Sequence, residues 1–149
     1  IEQVNSGSAG AFTADGLIDL QVALKEPYQA NATWLMKRAS FGEVRKLKDG
    51  QGQYLIGLGA AGTNGQTGTM MMLLDKPLRF ADDMPAIGSN ALAAAYGDFR
   101  QGYMIVDRVG IEVIIDNVTS KPYVIYYATK RVGGSVVNWE AIKLQKLAA

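Results

Sequence analysis

The chain has 149 residues, of which 48% are apolar and 19% charged, and this composition excludes a disordered tail. Fifteen Lys and Arg nearly balance fourteen Asp and Glu, so a net charge of +1 gives no electrostatic argument for a dedicated nucleic-acid binder. Cys and His are both absent, which excludes disulfides, thiolate zinc sites, cysteine nucleophiles and every histidine-dependent triad, metal site or general base. We therefore expect no catalytic residues, no metal ligands, no cofactor and no small-molecule substrate.

No apolar run approaches the ~20 residues needed to cross a bilayer, and a basic, apolar signal peptide is missing from the front. We expect no membrane partner. The chain opens with Ile1-Glu2-Gln3 rather than Met. The simplest interpretation is a fragment of a longer protein or a processed product.

The first predicted elements are a loop and a helix. Residues 1–14 are small and polar and predict a lead-in loop. A helix is expected next, with Asp15 as its N-cap and Pro27 as its end. Its apolar positions, at helical spacing, are Leu17, Leu20 and Leu24.

A short strand and a second helix follow. The apolar run Thr33–Met36 predicts a buried strand, and Ser40 with Glu43 three residues later predicts a capping box at the start of a short helix. Asp49–Gly52 is typical of a turn, and Tyr54–Ile56 indicates a brief strand.

The middle of the chain is predicted as loop and strands. Residues 57–69 form a glycine-rich loop. Met70–Leu74 and Leu78–Phe80 predict two strands that are broken at Lys76-Pro77, and the apolar segment Ala91–Tyr96 is expected to be buried.

From Tyr103 onward the sequence predicts mostly strands, and this change in composition near residue 100 marks a candidate subdomain boundary. The pair Gly133-Gly134 predicts a hairpin turn, since a two-residue hairpin loop needs positive φ. The predicted segments are a strand Tyr103–Arg108, a turn at Val109-Gly110, a strand Ile111–Asp116, a strand Tyr123–Val132, a hairpin turn at Gly133-Gly134 and a returning segment Ser135–Leu147.

Gly57–Gly62 matches the dinucleotide-binding pattern G-x-G-x-x-G, and Asp75 follows near the offset of a ribose-binding acid. That motif works only when its last glycine opens a helix whose N-terminus holds the pyrophosphate. The next residues, Thr63–Gly68, contain two more glycines and β-forming residues, which cannot make that helix. A surface loop is therefore favoured over nucleotide binding.

Several carboxylates are interpreted as turn or capping residues rather than as metal ligands. Asp82-Asp83 could attract a hard cation, but no further ligands follow at metal-binding spacing, so a solvated turn is favoured. The remaining aspartates at predicted strand or turn edges are interpreted as capping residues; they are Asp98, Asp107 and Asp116.

The basic residues Arg45, Lys46 and Lys48 could contact phosphate, which leaves a DNA-binding module as one alternative function. A solvated helix face is favoured.

Three tyrosines, Tyr123, Tyr126 and Tyr127, lie on both faces of one predicted strand. Such rings could stack on single-stranded nucleic acid. Packing in a sheet, with the hydroxyls reaching the surface, is favoured.

The order of several short stretches, rather than any one motif, points to a family. The stretches extend from Leu17 to Leu144, about nine-tenths of the chain, and are Leu17–Leu20, Ala32–Met36, Val44–Asp49, Ala81–Pro85, Gly97–Tyr103, Val106–Arg108, Lys130–Gly134 and Glu140–Leu144. In this order and spacing the chain resembles the major capsid proteins of tailed bacteriophages and gene transfer agents, which have the Hong Kong-type phage capsid fold.

The resemblance implies an α+β fold with an axial domain at the capsomer centre and a peripheral domain. It implies that residues 15–102 form the axial domain and residues 103–149 the C-terminal β-sheet part of the peripheral domain, after the lead-in loop 1–14. The family's N-terminal arm, hairpin arm and spine helix are absent from this chain and are expected to precede residue 1. Some relatives crosslink subunits through Lys and Asn with a carboxylate, but Tyr123–Thr129 offers neither Asn nor carboxylate, so no crosslinking is expected.

The function implied by the resemblance is that of a structural subunit, not an enzyme, which assembles into the icosahedral shell of a tailed phage, prophage or gene transfer agent. Its expected partners are further copies of itself, in pentamers and hexamers, and packaged DNA held without a specific site. Its expected location is the virion, after assembly in the bacterial cytoplasm. The alternatives are an encapsulin-like compartment shell and, in another class, a nucleotide-binding enzyme that uses the Gly57–Gly62 loop.

Overall fold

The structure is a computed structural model that describes residues 1–55 and 71–149. The chain divides into two compact units, the first made of residues 1–102 and 138–149 and the second of residues 103–137. Helices and strands occur together, so the predicted α+β class is confirmed. The elements are β1 (Glu2–Asn5), α1 (Ala14–Ala23), α2 (Glu26–Gln29), β2 (Thr33–Met36), α3 (Arg38–Arg45), β3 (Met72–Leu73), β4 (Lys76–Phe80), β5 (Leu92–Gly97), α4 (Phe99–Gly102), β6 (Tyr103–Asp116), β7 (Ile125–Val136), a 3₁₀ turn (Trp139–Ala141) and β8 (Ile142–Lys146).

A mixed sheet is the framework of the first unit. Its six strands in the described part of the chain have the order β1-β8-β5-β2-β4-β3. β1 runs parallel to β8 and β2 parallel to β4, and the other neighbours are antiparallel. Side chains from the helices and the central strands form one apolar core, which includes Leu20, Trp34, Val44 and Tyr96. Burial of this core is the main source of stability for the unit.

The lead-in loop predicted for residues 1–14 is wrong at its start. Glu2–Asn5 form β1 and pair with Lys143–Lys146 of β8. The carboxylate of Glu2 accepts a hydrogen bond from the ammonium group of Lys143, which lowers the pKa of Glu2. The partner strand lies at the other end of the chain, so local composition could not reveal this pairing.

The first helix begins two residues earlier than an N-cap at Asp15 predicted. Thr13 is the N-cap, and its Oγ1 accepts a hydrogen bond from the Gly16 N–H at 3.0 Å. Asp15 lies in the first turn, where its charge suits the positive end of the helix dipole. Pro27 does not end this helix, because it occupies the first turn of α2, where a missing N–H costs nothing.

The predicted strand Thr33–Met36 is confirmed as β2. The capping box after it is wrong, because α3 already begins at Arg38 and Ser40 is therefore its third residue. Ser40 is buried, and Glu43 instead forms an ion pair with Lys46 at 2.7 Å.

The break between the two middle strands also lies elsewhere than predicted. Lys76 and Pro77 belong to β4 and pair with Leu73 and Met72 of β3. The turn is made by Leu74 and Asp75, whose φ values are +48° and +61°. Positive φ at two successive residues is typical of a tight hairpin turn, and neither residue is the expected glycine.

β5 carries the buried segment predicted at Ala91–Tyr96, although Ala91 and Leu92 are only half-buried. Asp98 follows the strand and caps α4, as predicted. Its Oδ1 accepts hydrogen bonds from the backbone N–H groups of Arg100 and Gln101, at 3.0 and 3.3 Å.

The second unit is a long antiparallel hairpin of β6 and β7. The turns predicted at Val109-Gly110 and Gly133-Gly134 are both wrong. Gly133 and Gly134 continue β7 opposite Val106 and Ile105, and the region around Val109 is a pair of register shifts within β6. An extended ladder tolerates glycine and absorbs the extra residues as bulges.

The loop that joins β6 to β7 begins at Asp116, which caps it as predicted. The Thr119 hydroxyl and the backbone N–H groups of Val118 and Thr119 donate hydrogen bonds to the Asp116 carboxylate, and they lower its pKa. Asp107 instead lies within β6 and forms an ion pair with Lys130 at 3.0 Å.

The single sheet expected over residues 103–149 is divided between the two units. Residues 138–149 return to the first unit, where β8 lies between β1 and β5. Its alternating pattern resembles that of the hairpin strands, so only the pairing partners distinguish them. Within the described residues, the helices are all too short or too polar to cross a membrane.

Tyr96 is fully buried, and its hydroxyl donates to Oε1 of Gln29 at 2.8 Å. Burial raises the pKa of Tyr96, so folding favours the neutral phenol. This contribution to stability is complete below the unfolded pKa of about 10 and is lost as the pH rises further through the folded pKa. We expect Tyr96→Phe to lose about 1 kcal/mol at pH 7 and to be less sensitive to alkali than the wild type. Urea unfolding of the wild type and Tyr96→Phe at pH 7, 10 and 11 tests this. An equal fall of the free energy of unfolding with pH in both proteins would contradict it.

Candidate assembly surfaces

The described residues present no metal-binding cluster of side chains. No group of three acidic residues within 1–55 and 71–149 comes close enough to hold a metal ion. Asp82 and Asp83 are exposed in a turn between β4 and β5. These two carboxylates share no further ligands among the described residues. Their geometry is that of a solvated turn.

The dinucleotide-like motif Gly57–Gly62 lies outside the described residues. Asp75, its suggested ribose partner, is exposed in the tight turn between β3 and β4. A turn residue at the edge of a sheet is not the end of a parallel strand that a nucleotide fold would require.

A cavity of about 610 Å³ lies beside α3. It is lined by Phe12, Ser40, Glu43 and Ile87, among others. The Ser40 hydroxyl is buried and has no hydrogen-bond partner among the described residues, and the Glu43 carboxylate forms an ion pair with Lys46. Because a serine nucleophile needs an adjacent base, no residue within 1–55 and 71–149 activates Ser40.

The basic cluster that suggested DNA binding is divided among local partners. Lys46 pairs with Glu43, and the ammonium group of Lys48 lies 4.9 Å from the ring centroid of Tyr54. Arg45 is half-buried in the last turn of α3. These contacts are those of an ordinary helix surface.

The hairpin of the second unit presents apolar side chains on both of its faces. Directly opposed residues share a face, and successive residues alternate between faces. Tyr126 and Tyr127 therefore point to opposite sides, and they are 66% and 62% exposed. The packing expected for these tyrosines is not made within this unit. Other exposed apolar residues are Ile105, Val113, Ile115 and Val132 on one face and Met104, Val106, Ile114 and Ile125 on the other.

This hairpin is more typical of a surface that contacts another protein than of an independently stable domain. A two-stranded ribbon is only marginally stable in water, and contiguous exposed apolar surface marks a site of protein contact. The sequence contains the alternation that would have indicated this, but alternation alone does not show whether the apolar side is covered.

The sequence was compared with protein families, curated proteins and solved structures, and two of these three comparisons give matches. The sequence matches the Phage capsid family over residues 1–147. A search of curated proteins finds no match.

Solved capsid structures share the fold. One is described as "Capsid of native GTA particle computed with C5 symmetry", is 42% identical and has a TM-score of 0.81 over 99% of this chain and 49% of that chain. The corresponding empty GTA particle is also 42% identical, with a TM-score of 0.79 over 99% and 50% of the two chains. A further structure, described as "Gordonia phage Cozz", has 18% identity and a TM-score of 0.60 over 99% of this chain and 50% of that chain, which shows the fold alone. The chain thus spans about half the length of the solved chains it matches.

Proposed function

Because this chain belongs to the phage capsid family, we propose that it is part of a major capsid subunit that assembles with further copies into an icosahedral shell. The observation that carries the proposal is 42% identity to gene transfer agent capsid chains across 99% of this chain. The exposed apolar hairpin supports it, because a shell subunit needs broad contact surfaces and no catalytic pocket.

The two units suggest how the domains of the family are divided here. We infer that the first unit, with its mixed sheet, corresponds to the axial domain. The hairpin of residues 103–137 then corresponds to part of the peripheral domain. The resemblance assigned residues 138–149 to the peripheral domain. We assign them to the axial domain instead, because β8 pairs with β1 and β5. The remaining half of the subunit would cover part of the hairpin.

The proposed site of action is the virion, with assembly in the cytoplasm of a bacterial host. Packaged DNA would lie inside the shell without a specific site on this chain, consistent with the net charge of +1. β7 carries neither Asn nor a carboxylate in Ile125–Thr129, and we keep the prediction that it forms no covalent crosslink. The family and structure matches are to capsids and give no support to an encapsulin-like compartment.

The family and the matching structures indicate a structural protein, and we further propose that the chain has no enzymatic activity. Titration with NAD or ATP is expected to leave the melting temperature unchanged, because a ligand stabilises only a native state that binds it. A saturable rise with either nucleotide would support the enzyme alternative instead. Guanidine-unfolded protein with the same nucleotides controls for binding to the unfolded chain.

Assembly gives the direct test of the proposed function. The complete subunit should form rings of five or six copies and closed shells that are visible by electron microscopy. The 149-residue chain should be monomeric or weakly associated at micromolar concentration, because small contacts near or below ~1,000 Å² are weak or transient. Light scattering measures this. A complete subunit that forms no ring or shell in any condition would overturn the proposal, and a stable hexamer of this chain alone would contradict the expected weak contacts.

A further inference from the structure

The first unit has a small apolar groove, here named the α1 groove, with a volume of about 200 Å³. This volume lies below the ~300 Å³ at which small-molecule pockets begin, so the groove suits one protruding side chain better than a cofactor. Its lining includes Ala14, Leu17, Ile18, Leu55, Leu73 and Leu74.

The groove leaves aliphatic side chains in water. Ile18 and Leu55 are 47% and 51% exposed, although both belong to an apolar lining. Removal of such surface from water is favourable by roughly 25 cal/mol per Å², so a covering partner would be stabilised here.

Carboxylates without an ion pair flank the α1 groove in sequence. The ammonium groups nearby in sequence, those of Lys46, Lys48 and Lys76, contact a carboxylate, an aromatic ring and a main-chain carbonyl, respectively. Three exposed carboxylates adjacent in sequence to groove residues make no ion pair within the described part of the chain, and they are Asp15, Asp19 and Asp75. A partner with an apolar tip and a nearby cation would complement this surface.

The same chain carries such a tip. Trp139 is 57% exposed in the 3₁₀ turn before β8. Helix α4 is joined to this turn by a hydrogen bond from the Asn138 N–H to the Gly102 carbonyl, at 3.3 Å. Arg100 lies exposed on α4 and makes no ion pair among residues 1–55 and 71–149.

The tip and the groove lie toward opposite ends of α1. The groove includes Ala14 and Ile18 from the N-terminal half of the helix. Lys25, just beyond the C-terminal end, forms an ion pair with Glu140 at 2.7 Å, beside Trp139. A ten-residue helix is about 15 Å long, so one copy cannot fill its own groove with its own tryptophan.

We propose that Trp139 of one copy inserts into the α1 groove of a neighbouring copy, with Arg100 facing the carboxylates around it. The proposal rests on the proposed capsid function. Identical subunits around a fivefold axis, as in the related capsid computed with C5 symmetry, need contacts between two different patches, and the tip and groove supply such a pair. Trp and Arg are also the side chains most enriched at the energetic centres of interfaces.

Photo-crosslinking tests the contact directly. Trp139 is replaced with the photoreactive aromatic p-benzoylphenylalanine, which keeps an apolar ring at this position, and the chain is irradiated at high concentration. The expected product is an adduct between two copies, mapped by mass spectrometry from position 139 to Ala14–Ile18, Leu55 or Leu73-Leu74. The same analogue in place of Val118, which is 72% exposed, is the control and should not label the groove.

A matched pair of helix variants tests the groove side. Ile18→Asp should reduce the adduct at least about tenfold, since it places a charge among the lining residues. Val22→Asp lies on the same helix, is 75% exposed in the wild type and is outside the lining described above, so it should leave the adduct unchanged. Circular dichroism confirms that each variant is folded. Equal adduct yields in the two variants, or an adduct on another surface, would overturn the proposed contact.

Tryptophan fluorescence gives a second measurement on the unmodified chain. Trp34 is fully buried, so acrylamide quenching reports mainly on Trp139, the other of the two tryptophans. Quenching should fall as the subunits associate. Rings in which Trp139 stays fully quenchable would refute the contact and leave the capsid function standing, whereas a complete subunit that never forms rings would overturn the capsid function itself.

Discussion

Replacement of Trp34 with alanine is expected to lower the free energy of unfolding by about 3–5 kcal/mol, the range observed when large aromatic side chains are removed from cores. Trp34 lies in β2, is 0% exposed and stacks on Tyr96 with a centroid distance of 4.4 Å. β2 is paired on both sides, with β4 and with β5, so we expect the cavity left by the indole to collapse only partially. Since small domains are stable by only about 5–15 kcal/mol, this one change could remove most of the margin.

Chemical unfolding followed by circular dichroism measures the loss. Trp34→Phe is the matched control, because it keeps an aromatic ring while it removes the indole N–H, which has no hydrogen-bond partner within residues 1–55 and 71–149. We expect Phe to cost less than half of the alanine loss, since the buried unpaired N–H is itself unfavourable. Equal losses for Phe and Ala would show that ring packing is not what stabilises this position.

Gly97→Ala is expected to destabilise the first unit by about 3 kcal/mol or more, at the upper end of overpacking effects. A Cβ at this position would lie 2.1 Å from the Ala141 carbonyl oxygen and 2.8 Å from the Ile142 Cα. Both are backbone atoms of the segment that pairs with β5, so they can give way only if the strands separate. The expected result is a large fall in the unfolding midpoint.

Gly42→Ala is the control for this variant. Gly42 lies inside α3, and no atom lies within 4 Å of the Cβ that would be added. The change should leave stability unchanged or raise it by up to about 1 kcal/mol, because alanine favours the helix more than glycine does. A midpoint for Gly97→Ala that matches this control would mean that β5 and β8 are less closely packed than the structure shows.

Local patterns predicted the elements whose signals are contained within a few residues. The run Thr33–Met36 is apolar and β-forming, and it became the buried centre of the sheet. Asp98 caps the helix that follows it because an aspartate can bond the next backbone N–H groups wherever the fold places it. Glycine was a poor guide to turns. The β3–β4 turn uses Leu74 and Asp75, while Gly133 and Gly134 lie within a long strand, because cross-strand pairing outweighed the local preference.

The sequence by itself determined the absence of cysteine and histidine chemistry, the α+β class and, through the collinear stretches, the capsid family. These properties depend on residue identity and order, which folding does not change. Tertiary structure alone decided which distant strands pair. It placed β1 and β8, from the two ends of the chain, in one sheet and separated β8 from the hairpin. It also decided which apolar residues remain in water, because periodicity marks an apolar face but exposure depends on whether another element packs against it.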